Sequence, residues 1–197
     1  MPPTNGAPLK LSKPDEPVLG PDAGWDGSLN DPWIGEKGML TEAGIRVPFV
    51  LRWKGILPAG KVYDEPVSTL DIAATVLPAA GLPVAPELDG VDLLPYLKGE
   101  RVKAPHEYLF WRFWQQAAVR SGRWKYLYLS DEREFLFDLL TDAHERKNVL
   151  PANADTAAQL KKRLVAWAGK LKTPGLPAGP IRGGETKWYE HHPVGQP

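Results

Sequence analysis

Proline and glycine set the limits on where this chain can build regular structure. The 21 prolines and 19 glycines fall mostly in the first 35 residues, in 78–95 and after 173. Proline removes an amide donor and fixes φ, and glycine weakens element interiors. Their distribution predicts long ordered loops and, beyond Pro174, a loose tail. Residues 1–34 show no apolar periodicity at all. Structureless runs beyond about 12–15 residues are usually functional loops or disordered segments. This stretch therefore reads as an active-site loop from the interior of a fold, or as a plain disordered leader.

Between these loops the patterns are short. Val47-Pro48-Phe49-Val50-Leu51-Arg52-Trp53 is mostly apolar and flanked by Gly44 and Gly55, which predicts a buried strand, with Pro48 tolerable near its start. Ser68 and Thr69 precede Leu70–Leu77, where positions 70, 73, 76 and 77 share a face. That spacing predicts an amphipathic helix with a hydroxyl N-cap.

Four aromatic and β-branched segments follow: Glu107–Trp114, Ala117–Arg120, Trp124–Leu129 and Phe135–Asp138. Turn residues at Ser121-Gly122 and Ser130–Arg133 make them an antiparallel meander. A last helix is expected over 155–171. Its stripe of Leu160, Leu164, Trp167, Ala168 and Leu171 would pack on the meander. The fold class is α+β: a strand and helix, then a small antiparallel sheet packed by a C-terminal helix.

Composition removes some functions. Lys+Arg and Asp+Glu are both 24, so no global field favours nucleic acid or an anionic membrane. With no cysteine, disulfides, thiolate metal sites and a cysteine nucleophile are absent. No apolar run approaches the roughly 18–20 residues of a membrane span. Met1-Pro2-Pro3-Thr4 begins neither a basic nor an apolar leader, so no signal peptide is read.

The stretch 30–48 carries the chemical signal. Lys37 lies between Gly35 and Gly38, and a lysine on such a turn can meet an anionic group as a point charge. By itself the pattern fits a solvated loop lysine equally well. Glu42 and Arg46, four residues apart, could be an ion pair bracing the turn.

In register across this stretch stand Asn30, Pro32, Gly35, Lys37, Gly38, Glu42, Gly44, Ile45, Arg46, Val47 and Pro48. The run resembles the sulfatase family's N-x-P-L-x-G-x-K-G segment and the E-G-G-I-R-V-P that follows it, with Trp33 in place of leucine and Ala43 in place of the first glycine. Similar family motifs recur at Arg52–Gly60, Val67–Thr75, Leu88–Pro95, Ala118–Tyr126 and Leu136–Leu139, the last continuing to Asp142, Glu145 and Asn148, with Ala143 replacing a proline. The match runs in order over residues 28–150.

The resemblance implies the C-terminal part of an alkaline-phosphatase-like α/β fold and, in full-length relatives, hydrolysis of sulfate esters. It gives Lys37 the role of contacting the sulfate group. It places Thr4-Asn5-Gly6 at the family's D-N-G turn, where Asp and Asn bind Ca2+. Asn5 keeps its amide oxygen, and Thr4 has lost the carboxylate, which weakens a hard-cation site.

The formylglycine motif C/S-x-P-x-R does not occur. Ser12-Lys13-Pro14-Asp15-Glu16 ends in glutamate. The family's N-terminal aspartates and catalytic histidines have no counterparts either. His106, His144, His191 and His192 read as surface or tail residues.

These readings make the chain a C-terminal fragment, inactive alone, whose partner is the missing N-terminal sulfatase portion, in the same or a split chain. The ligand of full-length relatives is a sulfated small molecule or glycan, with no nucleic acid or membrane partner. Relatives are usually periplasmic, extracellular or lysosomal. Residues 1–100 would end the catalytic domain, 101–173 form the sheet subdomain and 174–197 the tail.

Two other classes stay open. A glycan-binding module could use Tyr108, Trp111, Trp114, Trp124, Tyr126 and Tyr128. A phosphatase or phosphodiesterase on the same fold could use Lys37 for phosphate.

Overall fold

The meander forms one four-stranded sheet in the computed structural model, which describes residues 30, 32–172, 175–177, 179, 189–190, 192 and 194–196. Its strands are β1 (Leu109–Phe113), β2 (Gln116–Ser121), β3 (Trp124–Leu129) and β4 (Glu134–Asp138), in spatial order β1-β2-β3-β4. β2 pairs antiparallel with β3 from Gln116↔Leu129 to Ser121↔Trp124, and β3 with β4 from Trp124↔Asp138 to Tyr128↔Glu134. Gly122 and Arg123 therefore make a two-residue hairpin turn, the tight connection that fixes register. Arg123 grips Asp138 from that turn, Nε donating to Oδ1 at 2.6 Å.

The chain divides into two compact units, Met1–Pro48 with Phe110–Pro197, and Phe49–Leu109. In the first, both sheet faces are covered, so β3 is buried on alternate sides. Helix α4 (Ala154–Ala168) takes one face, burying Ala157, Leu160, Leu164 and Ala168. Its Lys161 pairs with Glu134, which accepts the Tyr126 hydroxyl at 2.6 Å. Phe110 stacks on Trp167, centroids 5.1 Å apart. On the other face, Ala118, Leu127, Leu129 and Phe137 pack with Ile34, Met39, Leu40, Tyr189 and Val194. The expected loose tail thus seats Tyr189 and Val194 in the core, because the sheet's second apolar face needs a cover.

In the second unit, helix α2 (Asp71–Ala79) and the short α3 (Leu94–Leu97) are joined by loops. The expected strand over 47–53 does not form. This stretch is irregular, and Val50 is 89% exposed. A strand requires a neighbour to accept its amides, and among the described residues none pairs with it.

Helix α2 also faces the other way from its predicted stripe. Asp71, Ala74 and Thr75 are buried, while Leu70, Ile72 and Val76 are exposed. Polar bonding decides this. Asp71 accepts the Ser68 amide at 2.7 Å and the Val91 amide at 2.8 Å, and pairs with His106 Nε2 at 2.9 Å. Thr75 Oγ1 accepts the Leu93 amide at 3.0 Å. The N-cap is Leu70, without the hydroxyl cap expected from Ser68 and Thr69. His106 is thereby a partly buried partner of Asp71 rather than a surface histidine.

Candidate functional site

Lys37 occupies the second position of a tight turn. The Met39 amide donates to the Glu36 carbonyl at 3.0 Å, and Gly38, at the third position, has φ +106°. Positive φ at that position is the requirement of a type II turn and explains the glycine after the lysine. Lys37 is exposed, while Ile34, Gly35, Glu36, Met39 and Leu40 around it are buried.

The turn is fastened to the sheet by Gln116, the first residue of β2 and fully buried. Its Nε2 donates to the Gly38 carbonyl at 2.8 Å, and its Oε1 accepts the Leu40 amide at 3.0 Å and the Tyr189 hydroxyl at 2.6 Å. Asn30 Nδ2 donates to the Gly35 carbonyl at 3.0 Å. Gly44 then lets the helical turn α1 (Glu42–Ile45) close against this loop. A Cβ there would stand 2.1 Å from the Met39 carbonyl oxygen and 2.7 Å from that of Glu36. Ala43, the family-pattern departure, falls beside the position that must be glycine.

Charged residues from three separate sequence segments meet behind the turn. Lys125 Nζ, on β3, lies 2.9 Å from Glu42 Oε1 and 2.7 Å from Glu145 Oε1, with all three side chains buried. Glu145 Oε2 also accepts the Glu42 amide at 2.5 Å. Arg120 and Arg46 approach Glu42 Oε2 at 3.7 Å each, confirming the Glu42–Arg46 pair. The Arg46 guanidinium lies 4.1 Å from the Trp33 ring centroid, and Trp33 meets His144 edge to face.

Burial pushes the Glu145 carboxyl up to about 7, against the pull of Lys125. For Glu42 burial acts upward too, but Lys125, Arg120 and Arg46 overcome it and hold the carboxyl below its ordinary range. Burial alone would lower Lys125, and the two glutamates raise it. The cluster is thus an ammonium between two carboxylates, with the negative charge centred on Glu42.

Residues 32–170 match the family model described as N-sulphoglucosamine sulphohydrolase, C-terminal. The chain belongs to this sulfatase family. Human steryl-sulfatase is 40% identical over 100 residues, 50% of this chain and 17% of that protein. The choline-sulfatase of Rhizobium meliloti (strain 1021) is 34% identical over 127 residues, 59% of this chain and 24% of that one. The chain therefore spans only about a sixth to a quarter of these relatives. Among solved structures, Ps i-CgsB superposes with TM-score 0.67 at 26% identity, covering 84% of this chain and 37% of its own. A phosphonate monoester hydrolase from Silicibacter pomeroyi shares the fold, with TM-score 0.52 at 23% identity over 63% of this chain and 29% of its own. The α+β architecture is the C-terminal part of an alkaline-phosphatase-like sulfatase fold.

Within this family the motif residues divide by task. Glu42, Arg46, Arg120, Lys125 and Glu145 build the buried cluster. Asn148 pins β4, its Oδ1 accepting the Leu136 amide at 3.0 Å and its Nδ2 donating to the Glu134 carbonyl at 3.1 Å. Lys37 points outward.

The family implies a metal cofactor, but the described residues do not fit one. They contain no group of three His, Cys, Asp or Glu placed to hold an ion, and Lys125 already compensates Glu42 and Glu145. Asn5, Thr4 and His191 lie outside the described residues. Of the other histidines, His144 is half-buried against Trp33, and His192 is buried with Nε2 3.7 Å from Glu36 Oε2. The six meander aromatics make no single platform, since Tyr126 is fully buried and Trp111 packs against the core.

The second unit holds an open apolar hollow of about 320 Å³ lined by Leu51, Trp53, Val76, Ala79, Ala80 and Leu94, with Arg52 as its one charged neighbour. That lining offers no acid–base pair.

Sequence reasoning missed Gln116 and Tyr189, which carry no motif of their own. For Lys125 a signal existed: it shares the β3 face of Leu127 and Leu129, where a lysine needs buried carboxylates.

Proposed function

We propose that this chain forms one wall of a sulfuric ester hydrolase site, in which Lys37 binds the sulfate group of the ester. The observation that carries the reading is the place of Lys37, exposed at the second position of a turn that Gln116 fastens to the sheet. Behind that turn Arg46, Arg120 and Lys125 each face a carboxylate, whereas Lys37 has no carboxylate paired to it among the described residues. An ammonium there would offset the negative charge of the sulfate oxygens and what develops as the ester bond breaks.

The nucleophile comes from elsewhere. With no cysteine and no S-x-P-x-R in 197 residues, the chain has no formylglycine precursor, and positioning by Lys37 does not replace an attacking group. The remaining sulfatase portion would supply it, with the leaving-group acid and most metal ligands. Asn5 would add one amide oxygen to a Ca2+ site. In domain terms, residues 1–100 would complete the catalytic domain and 101–173 form the appended subdomain.

Hydrolysis of an aryl sulfate by the purified chain, with and without Ca2+ and beside an aryl phosphate and Lys37→Ala, tests this. No turnover is expected with either ester. Sulfate turnover that disappears in Lys37→Ala would mean that this chain attacks sulfur unaided, and the assignment of the nucleophile elsewhere would be wrong.

A further inference from the structure

We infer that Gln116 is the positioning residue of the sulfate-binding lysine, with Tyr189 bracing its amide. The inference rests on the reading of Lys37 as the sulfate contact.

The geometry is directional. Gln116 meets a carbonyl, that of Gly38, at 2.8 Å and an amide, that of Leu40, at 3.0 Å. Only one orientation of a carboxamide satisfies both, nitrogen toward Gly38 and oxygen toward Leu40. A flipped amide would lose both backbone bonds, and the Tyr189 hydroxyl, donating to the same oxygen at 2.6 Å, adds a third point of attachment to the side chain. Gly38 directly follows Lys37, and Leu40 directly follows Met39, which closes the turn. Gln116 thus holds the backbone on one side of the lysine at two points, 76 and 78 residues away in sequence.

The burial matters. A buried amide loses more when a partner is removed than it gained in making the bond. The Asn30 bond holds the other side of the turn, fixing Gly35, before the lysine. Ordering the turn in advance lets Lys37 meet an anion without a further entropic cost.

The test is a titration of the 197-residue chain with inorganic sulfate, followed through the amide resonances of Lys37 and Gly38. The unaltered chain should show saturable shifts, and Lys37→Ala should abolish them. Gln116→Leu should weaken binding at least about tenfold while the Ala118 and Leu127 resonances stay in place. Tyr189→Phe, which keeps the ring in the core, should weaken it two- to fivefold.

Gln116→Glu supplies a readout that general loosening would not give. As a neutral acid it still donates to the Gly38 carbonyl, and as a carboxylate it turns an acceptor on that carbonyl. Sulfate binding by this variant should approach that of the unaltered chain near pH 5 and collapse near pH 8, where the unaltered chain still binds. Should Gln116→Leu and Tyr189→Phe bind sulfate within twofold of the unaltered chain, the positioning role is wrong and the Lys37 reading stands. Should the unaltered chain show no sulfate-dependent shift, the Lys37 reading falls, and the inference with it.

Discussion

Glu145 sits at φ +58° while fully buried, a backbone conformation that costs a non-glycine residue on the order of 1–2 kcal/mol. What holds it there is visible: Oε2 accepts the Glu42 amide, Oε1 faces Lys125, and its carbonyl accepts the Gly195 amide at 2.9 Å. Its carboxyl, ordinarily at 4.5, is raised to about 7. The fold therefore keeps the proton more readily than the unfolded chain does. This contribution is complete below pH 4.5 and lost as pH rises through about 7, on the order of 3 kcal/mol at full ionisation. Glu42 has the opposite sign. Held below 4.5, it stabilises above that value and loses its contribution as the medium acidifies. Glu145 therefore contributes a decline in stability between pH 5 and 8. Glu145→Gln keeps an acceptor for the Glu42 amide, and urea denaturation should show a flatter stability profile over that range. An unchanged slope would place the titration elsewhere.

At the scale of elements, the Lys37 turn and α1 depend on close backbone approach. Gly44→Ala puts a methyl within 2.1 Å of the Met39 carbonyl oxygen, and neither backbone can retreat without breaking the turn. A loss of about 1–3 kcal/mol is expected, read as a lowered Tm, together with weaker sulfate binding. Ala43→Gly restores the family's glycine pair and should cost less, about 0.5–1 kcal/mol.

The same contrast shows what a sequence pattern can carry. Strands β1–β4 and helix α4 were legible because period-two alternation, turn residues and the Leu160–Leu164 stripe are local. Helix α2 was placed correctly, but its buried face was not. Hydrophobic periodicity chose Leu70 and Val76, whereas Asp71 and Thr75 face inward to bind the backbone of 68 and 91–93.

Taken whole, the chain exposes Phe49, Val50, Leu51, Trp53, Leu70, Ile72 and Val76 within one unit. Leu51, Trp53 and Val76 share the lining of one hollow, and contiguous apolar surface of this sort drives association. Sedimentation of the isolated chain should show species growing with concentration, and Val76→Lys, at an exposed helix position, should shift them toward monomer. A concentration-independent monomer would mean that the exposed apolar side chains do not associate.

The sequence by itself determined the α+β class, the sheet's strands and turns, and the presence of a lysine on a glycine-flanked turn within a sulfatase pattern. Each is written in neighbouring residues, where spacing alone sets the backbone. Tertiary structure decided the rest. It brought Glu42, Lys125 and Glu145 together from separate segments, set Gln116 and Tyr189 against the turn of Lys37, and left 47–53 without a strand partner among the described residues. Burial and pairing belong to whatever covers a residue, and that cover comes from parts of the chain that no local pattern connects.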